Sequence, residues 1–309
     1  MSAAAALIPA DVRARLKDLR LRTRLGASGD GFGQHASRSR GAGLEFAQYR
    51  AYEPGDEPRR IDWKLYARSD RYFVRESERD SPLTLWLILD ATASMAQRDA
   101  ARPAWTKLDA AKTIAACAIE LALRQGDRFG LVALASGGPM LIAADAGPRH
   151  RDRCLLELER LACGGAWPPE TAVRPLWERV QPSSLVLVLS DFFDDACTDL
   201  ATRFAAARRE VLTVQLLTAE ERDFPFTGGH RFRDSENGNE RRVEAPAVRK
   251  DFLERFAAAR AQLTRRFAIA GIRHAEYFLD DAPDAPLRRF FGSESSRGIA
   301  ATLDERAQR

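Results

Sequence analysis

Two aspartates carry the chemistry this sequence could do. Asp90 closes the run Leu83-Thr84-Leu85-Trp86-Leu87-Ile88-Leu89, and hydroxyl residues follow it at alternate positions, Thr92 and Ser94. Asp191 closes a second apolar run, Leu185-Val186-Leu187-Val188-Leu189-Ser190. Between them Thr171 stands at the start of a helical segment, after the loop Gly164-Gly165-Ala166-Trp167-Pro168-Pro169. Carboxylates and hydroxyls are hard oxygen donors. Together they suit a small divalent cation such as magnesium, which wants an octahedron of oxygens and keeps some of its waters. An open position on such a cation would accept a carboxylate from a partner protein. The metal-free alternative is that Asp90 and Ser94 only cap and fix a loop.

Those residues need two buried strands ending side by side. A fully apolar run reads as a central strand covered on both faces. The pattern predicts strands over 83–89, 129–135, 185–189 and 211–217, and helices over 107–124, 151–161, 171–180 and 198–209. Gly126-Asp127 closes the first of these helices, and residues 140–143 form a short antiparallel edge strand after the turn Ser136-Gly137-Gly138-Pro139. Alternation of this kind implies an α/β fold with a doubly wound, mainly parallel sheet and right-handed crossovers. A strand order of 3-2-1-4 would place the Asp90 and Asp191 strands next to each other at the switch point, where such sheets bind ligands. Asp194 and Asp195 read as helix N-terminal charges.

The flanks are different. Residues 9–24 predict a short helix with Val12, Leu16 and Leu19 on one side. A Gly-, Ser- and Arg-rich loop follows over 26–43, without the Gly-x-x-x-x-Gly-Lys of a phosphate cradle. Residues 44–80 are dense in arginine and aromatics, with a helical turn over 61–68 starting near Asp62 and an exposed strand over 71–78. Beyond the core come a polar hairpin around Asn237-Gly238, a long amphipathic helix over 248–270, a last strand from near Arg273, and a cap at 287–291. The division is therefore an N-terminal extension (1–82), a core (83–291) and a polar tail (292–309).

The chain of 309 residues has 48 Lys and Arg against 44 Asp and Glu, a net charge of +4. That balance is too even to identify a nucleic-acid partner. No apolar run approaches the roughly 20 residues of a membrane span, and the first residues make a poor secretory signal. A cytoplasmic protein is the expectation. Cys117, Cys154, Cys163 and Cys197 form no Cys-x-x-Cys pair, and read as reduced thiols in the core. His35, His150, His230 and His274 are scattered.

The core resembles a von Willebrand factor type A domain, whose metal-ion-dependent adhesion site uses Asp-x-Ser-x-Ser, a distant Thr and a distant Asp. The resemblance puts those roles on Asp90, Thr92, Ser94, Thr171 and Asp191. Two departures stand out: Thr92 replaces the first Ser, and Phe192 follows Asp191 where Gly is usual. The preceding block resembles the bacterial domain-of-unknown-function fifty-eight family, through Gly43-Leu44-Glu45-Phe46, Arg50-Ala51-Tyr52-Glu53-Pro54-Gly55-Asp56, Arg59-Arg60-Ile61-Asp62-Trp63-Lys64, Ala67-Arg68 and Val74-Arg75-Glu76. The resemblance spans residues 41–291. It implies partnership with MoxR-type AAA+ ATPases, which act as chaperones in protein maturation or metal insertion. Many members carry N-terminal transmembrane helices, which are not seen in this sequence.

The expected function is a non-enzymatic, magnesium-dependent interaction module. Arg50, Asp56, Arg59, Asp62, Trp63 and Arg68 form either a salt-bridged platform or a docking surface for a partner. A metal-dependent phosphate-ester hydrolase is the alternative, against which no His, Lys or Cys stands near the aspartates as nucleophile or acid. Nucleic-acid binding through the arginine and aromatic block is a second alternative.

Overall fold

The computed structural model describes residues 7–23, 46–52, 61–77, 82–233 and 239–292. The chain divides into two units, Met1–Arg22 together with Pro82–Arg309, and Thr23–Ser81. The first helix, α1 (Ala10–Arg15), belongs with the larger unit. Val12, Leu16, Leu19 and Leu21 are buried in its core, Arg15 pairs with the fully buried Asp284 at 2.8 Å, and the Gln125 amide brackets the Leu21 backbone. The division at residue 82 expected from the sequence groups this helix with the extension; by its contacts it lies with the larger unit.

The smaller unit contains β1 (Phe46–Ala51), α2 (Trp63–Ser69) and β2 (Phe73–Ser77). β1 and β2 pair antiparallel, with Ala51 opposite Phe73. Asp62 starts α2 by accepting from the Lys64 and Leu65 amides, and Asp70 ends it at φ 54.

The larger unit continues with β3 (Thr84–Asp90), α3 (Lys107–Gln125), β4 (Arg128–Leu134), β5 (Met140–Asp145) and α4 (Pro148–Arg160). The helix expected over 171–180 is two single turns, α5 (Glu170–Val173) and α6 (Leu176–Arg179). Pro175 lies between them and has no N–H to carry the helical ladder on. Then follow β6 (Leu185–Ser190), α7 (Asp195–Ala206), β7 (Glu210–Leu217), α8 (Ala219–Asp223), the hairpin β8 (Gly229–Arg233) and β9 (Glu240–Glu244), α9 (Ala245–Ile269), β10 (Arg273–Phe278) and α10 (Ala285–Phe291). The turn of that hairpin, Asn237-Gly238, lies outside the described residues.

The six-stranded sheet has the order β10-β7-β6-β3-β4-β5. All neighbours are parallel except β5, the antiparallel edge strand. Successive side chains of a strand point to opposite faces, and the two faces form two separate apolar layers. Leu85, Leu87 and Leu89 pack with α1, α3, α4 and α10. Trp86 and Ile88 pack with Val173, Leu176, Leu200, Phe204 and Phe267 on the other side. Gly130 in β4 lies opposite Trp86, and a Cβ there would come within 2.6 Å of the indole. The bulk of Trp86 is thus accommodated by its neighbour's missing side chain. Among the described residues no helix is long and apolar enough to cross a membrane.

Candidate functional site

β3 and β6 run parallel in direct contact, with Leu89 opposite Leu189, so their terminal carboxylates emerge side by side. Asp90 is 3% exposed. Its Oδ1 accepts from the Thr92 amide at 2.9 Å and the Thr92 hydroxyl at 2.7 Å, and its Oδ2 accepts from the Ser190 hydroxyl at 2.6 Å. No cation pairs with it among the described residues. Burial first, and then the charge of Asp191, push its carboxyl up to about 6. The Thr92 proton goes to Asp90, so in the 3.1 Å contact between the Thr92 and Ser94 hydroxyls it is Ser94 that donates. That separation is close to the edge of a magnesium octahedron, where ligands at 2.0–2.1 Å sit about 2.9 Å apart.

The loop bearing these groups is shaped by its neighbours. The Ala91 amide donates to Leu134, the Ala93 amide to the Gly165 carbonyl at 2.8 Å, and the Gly164 amide to the Ala91 carbonyl at 2.9 Å. Gly165 is required here. Its φ is 64, and a Cβ would lie 1.8 Å from the Ser136 hydroxyl.

The Asp191 side is built differently. The Lys107 ammonium, fully buried, lies 3.4 Å from Asp191 Oδ2, 2.8 Å from Glu221 Oε1 and 2.6 Å from Gln97 Oε1. The Phe193 ring covers it at 4.6 Å. The Gln215 amide holds the Asp191 carbonyl, and the Phe193 amide donates to Asp191 Oδ1. Sequence reasoning placed no lysine near the aspartates as nucleophile or acid and did not single out Lys107, which folding brings across 84 positions of sequence to Asp191 in a structural pairing. One signal was available. Lys107 is the first residue of α3, where the helix dipole disfavours a cation, in a chain with few lysines. A charge placed there must be used by something outside the helix.

A family model described as "Protein of unknown function DUF58" matches residues 48–262. The chain belongs to the DUF58 family. This DUF58 protein is 30% identical over 292 residues to Uncharacterized protein Rv1480 of Mycobacterium tuberculosis (strain ATCC 25618 / H37Rv), covering 93% of this chain and 91% of the relative. The same values hold for Uncharacterized protein Mb1516 of Mycobacterium bovis. Among solved structures, BatB from Bacteroides thetaiotaomicron aligns at TM-score 0.40 and 12% identity, over 74% of this chain and all of that one. The SpRpn10 VWA domain aligns at TM-score 0.37 and 11% identity, over 67% and 94%. The mostly parallel six-stranded sheet of the DUF58 core, with its single antiparallel edge strand, is consistent with a von Willebrand factor type A-like fold.

Of the residues expected at the cation site, Asp90, Thr92 and Ser94 are joined by hydrogen bonds, and Asp191 follows the Ser190 that is bonded to Asp90. Thr171 is exposed in α5, and none of the described hydrogen bonds joins it to this group; the nearby loop contributes Gly164 and Gly165 instead. Phe192 takes φ 57, the left-handed region that a glycine would occupy without strain. Its ring is buried, meeting Phe267 edge-on at 5.2 Å, and that packing holds the strained backbone in place. Asp194 caps α7 through the Ala196 amide, as expected. Among the described residues no three His, Cys, Asp or Glu side chains gather as a metal cluster. Any cation site here depends on the hydroxyls.

In the smaller unit Asp62 is the buried cap of α2, while Trp63 and Arg68 are exposed. Trp63, Tyr66 and Tyr72 form an aromatic patch in which Tyr66 stacks on Tyr72 at 4.5 Å. Arg50 is described as backbone only, opposite Val74. Asp56 and Arg59 lie outside the described residues, as does His35. The four cysteines are free, and burial raises their thiols.

Proposed function

We propose that this DUF58 protein is a non-enzymatic interaction module that captures a partner's carboxylate through a divalent cation held by Asp90, Thr92 and Ser94, with Asp191 behind them. The observation that carries this reading is the uncompensated charge at Asp90. Lys107 pairs with Asp191 and Glu221 and not with Asp90, so these three carboxylates, when fully ionised, carry two negative charges more than the one ammonium among them balances. Asp90 holds the Thr92 hydroxyl by accepting its proton, and Thr92 in turn accepts from Ser94, so each hydroxyl keeps an oxygen lone pair for a cation. A divalent ion bound there would supply the missing charge and an electrophilic position for an incoming carboxylate. Phe193, half exposed beside the site, would offer an apolar flank to the same partner.

The expected partner, on the family resemblance, is a MoxR-type AAA+ ATPase acting on a client protein, with the exposed aromatic patch around Trp63 as a second docking surface. Capture of the ATPase by the full-length protein in magnesium, against chelator, tests this. Retention unaffected by chelator and by Asp90→Ala would remove the metal bridge from the reading. Hydrolysis of phosphate esters is less well supported, because Lys107 is enclosed and already engaged by three acceptors. Magnesium-dependent turnover lost in Asp191→Ala would reverse that ranking.

A further inference from the structure

We infer that Lys107 is a built-in competitor for the cation site: its ammonium shares Asp191 with any divalent ion and so sets how tightly that ion is held. This rests on the cation reading of Asp90, Thr92 and Ser94 given above, and adds a residue that reading does not use.

The contacts of Lys107 are graded. Its three protons match three acceptors: Gln97 at 2.6 Å, Glu221 at 2.8 Å and Asp191 at 3.4 Å. Gln97 and Glu221 are the anchors, and Asp191 is the loosest partner. The anchors are themselves fixed. Glu221 closes the capping box of α8 by accepting from the Thr218 amide at 2.8 Å. Gln97 offers its carbonyl to the Lys107 amide at 2.9 Å. Asp99 then ties the same loop to α8 by accepting from the Ala219 and Glu220 amides. The ammonium is thus held at a set position beside Asp191, with the face of Phe193 over it. A divalent ion near Asp90 must either repel this ammonium or draw Asp191 away from it.

Two substitutions then act in opposite directions. Lys107→Met removes the competing charge and leaves Asp191 to the ion. Glu221→Gln removes the stronger carboxylate anchor, so the ammonium falls back on Asp191 and withholds it. If both residues were merely structural, both changes would weaken binding.

The test is calorimetric titration of chelator-stripped, full-length protein with manganese alone, for the native chain, Lys107→Met, Glu221→Gln and Asp90→Ala. Melting temperature with and without manganese is the second readout. The expected result is at least tenfold tighter binding in Lys107→Met, a threshold set well below the effect of deleting one unit charge a few ångströms away at an effective dielectric near 20. Binding in Glu221→Gln weakens, and Asp90→Ala binds nothing. If the native chain binds through Asp90 and Lys107→Met is unchanged or weaker, the competitor role is overturned while the cation reading stands. If only Lys107→Met binds, the competitor role is supported and the native site is filled by its own ammonium. If neither binds, both fall. Should Lys107→Met not fold, Glu221→Gln decides alone: unchanged or tighter binding overturns the inference.

Discussion

Two adjacent strands of one sheet end in the same residue type, and the fold treats the two ends in opposite ways. Asp191 at the end of β6 receives an ammonium that itself lies against an aromatic ring, and a glutamine contact to its carbonyl. Asp90 at the end of β3 receives two hydroxyls and a backbone amide, with no cation among the described residues. Both are buried to within a few per cent. A buried charge that is paired behaves as structure; one that is solvated only by neutral dipoles is raised in energy. The difference locates the part of this surface that still has something to bind.

The largest test of that contrast is Lys107→Met. It leaves Asp191 and Glu221 without their shared counter-ion, and breaking a buried pair costs about 3–5 kcal/mol. Urea denaturation in chelator should show a loss of that order, recovered in part by manganese. A loss below about 1 kcal/mol would mean that Asp191 is no better compensated than Asp90.

Asp90→Asn should move the other way. The Asp90 carboxyl is raised from its ordinary value to about 6 in the folded protein. Folding therefore favours the protonated form: the native state is not penalised below about pH 4, and stability is lost as pH rises through 6. At pH 8 without divalent ions, removing the charge should stabilise the fold by about 1–2 kcal/mol, after discounting the altered Ser190 hydrogen bond. At pH 4 the gain should vanish. Destabilisation at pH 8 would show that Asp90 is already compensated.

Ser94→Ala deletes one hydroxyl whose only side-chain bond among the described residues is to another hydroxyl, so it should cost about 1 kcal/mol or less, while divalent binding measured by calorimetry falls severalfold. Equal binding would take Ser94 out of the site. Smallest of all, Thr171→Ala should change neither stability beyond about 0.5 kcal/mol nor divalent binding, since its side chain is exposed and joined to none of the Asp90 group. Loss of binding in Thr171→Ala would bring that loop into the site and narrow the contrast between the two strand ends.

Much of this was readable from local pattern. The runs ending at Asp90 and Asp191 are apolar on both faces because each strand is covered twice, and such runs announce themselves. The Asp62 cap, the Asp194 cap and the antiparallel edge strand follow from spacing and turn chemistry of the same short range. The break at Pro175 was also local, yet the apolar pattern on either side of it read as one helix. β1 escaped because its residues mix charge, amide and aromatic groups and carry no alternation strong enough to name a strand.

What the chain alone determined, then, is the set of donors and the strands that carry them, because both depend on neighbours a few residues apart. The tertiary structure alone decided which donors have partners. Lys107 meets Asp191 and Glu221 only when α3, β6 and α8 are packed at the same end of the sheet, and Gly165 rather than Thr171 meets the Asp90 loop because a carbonyl needs only the right backbone path. Charge compensation in a buried site is a property of distances across the fold, which no spacing along the sequence encodes.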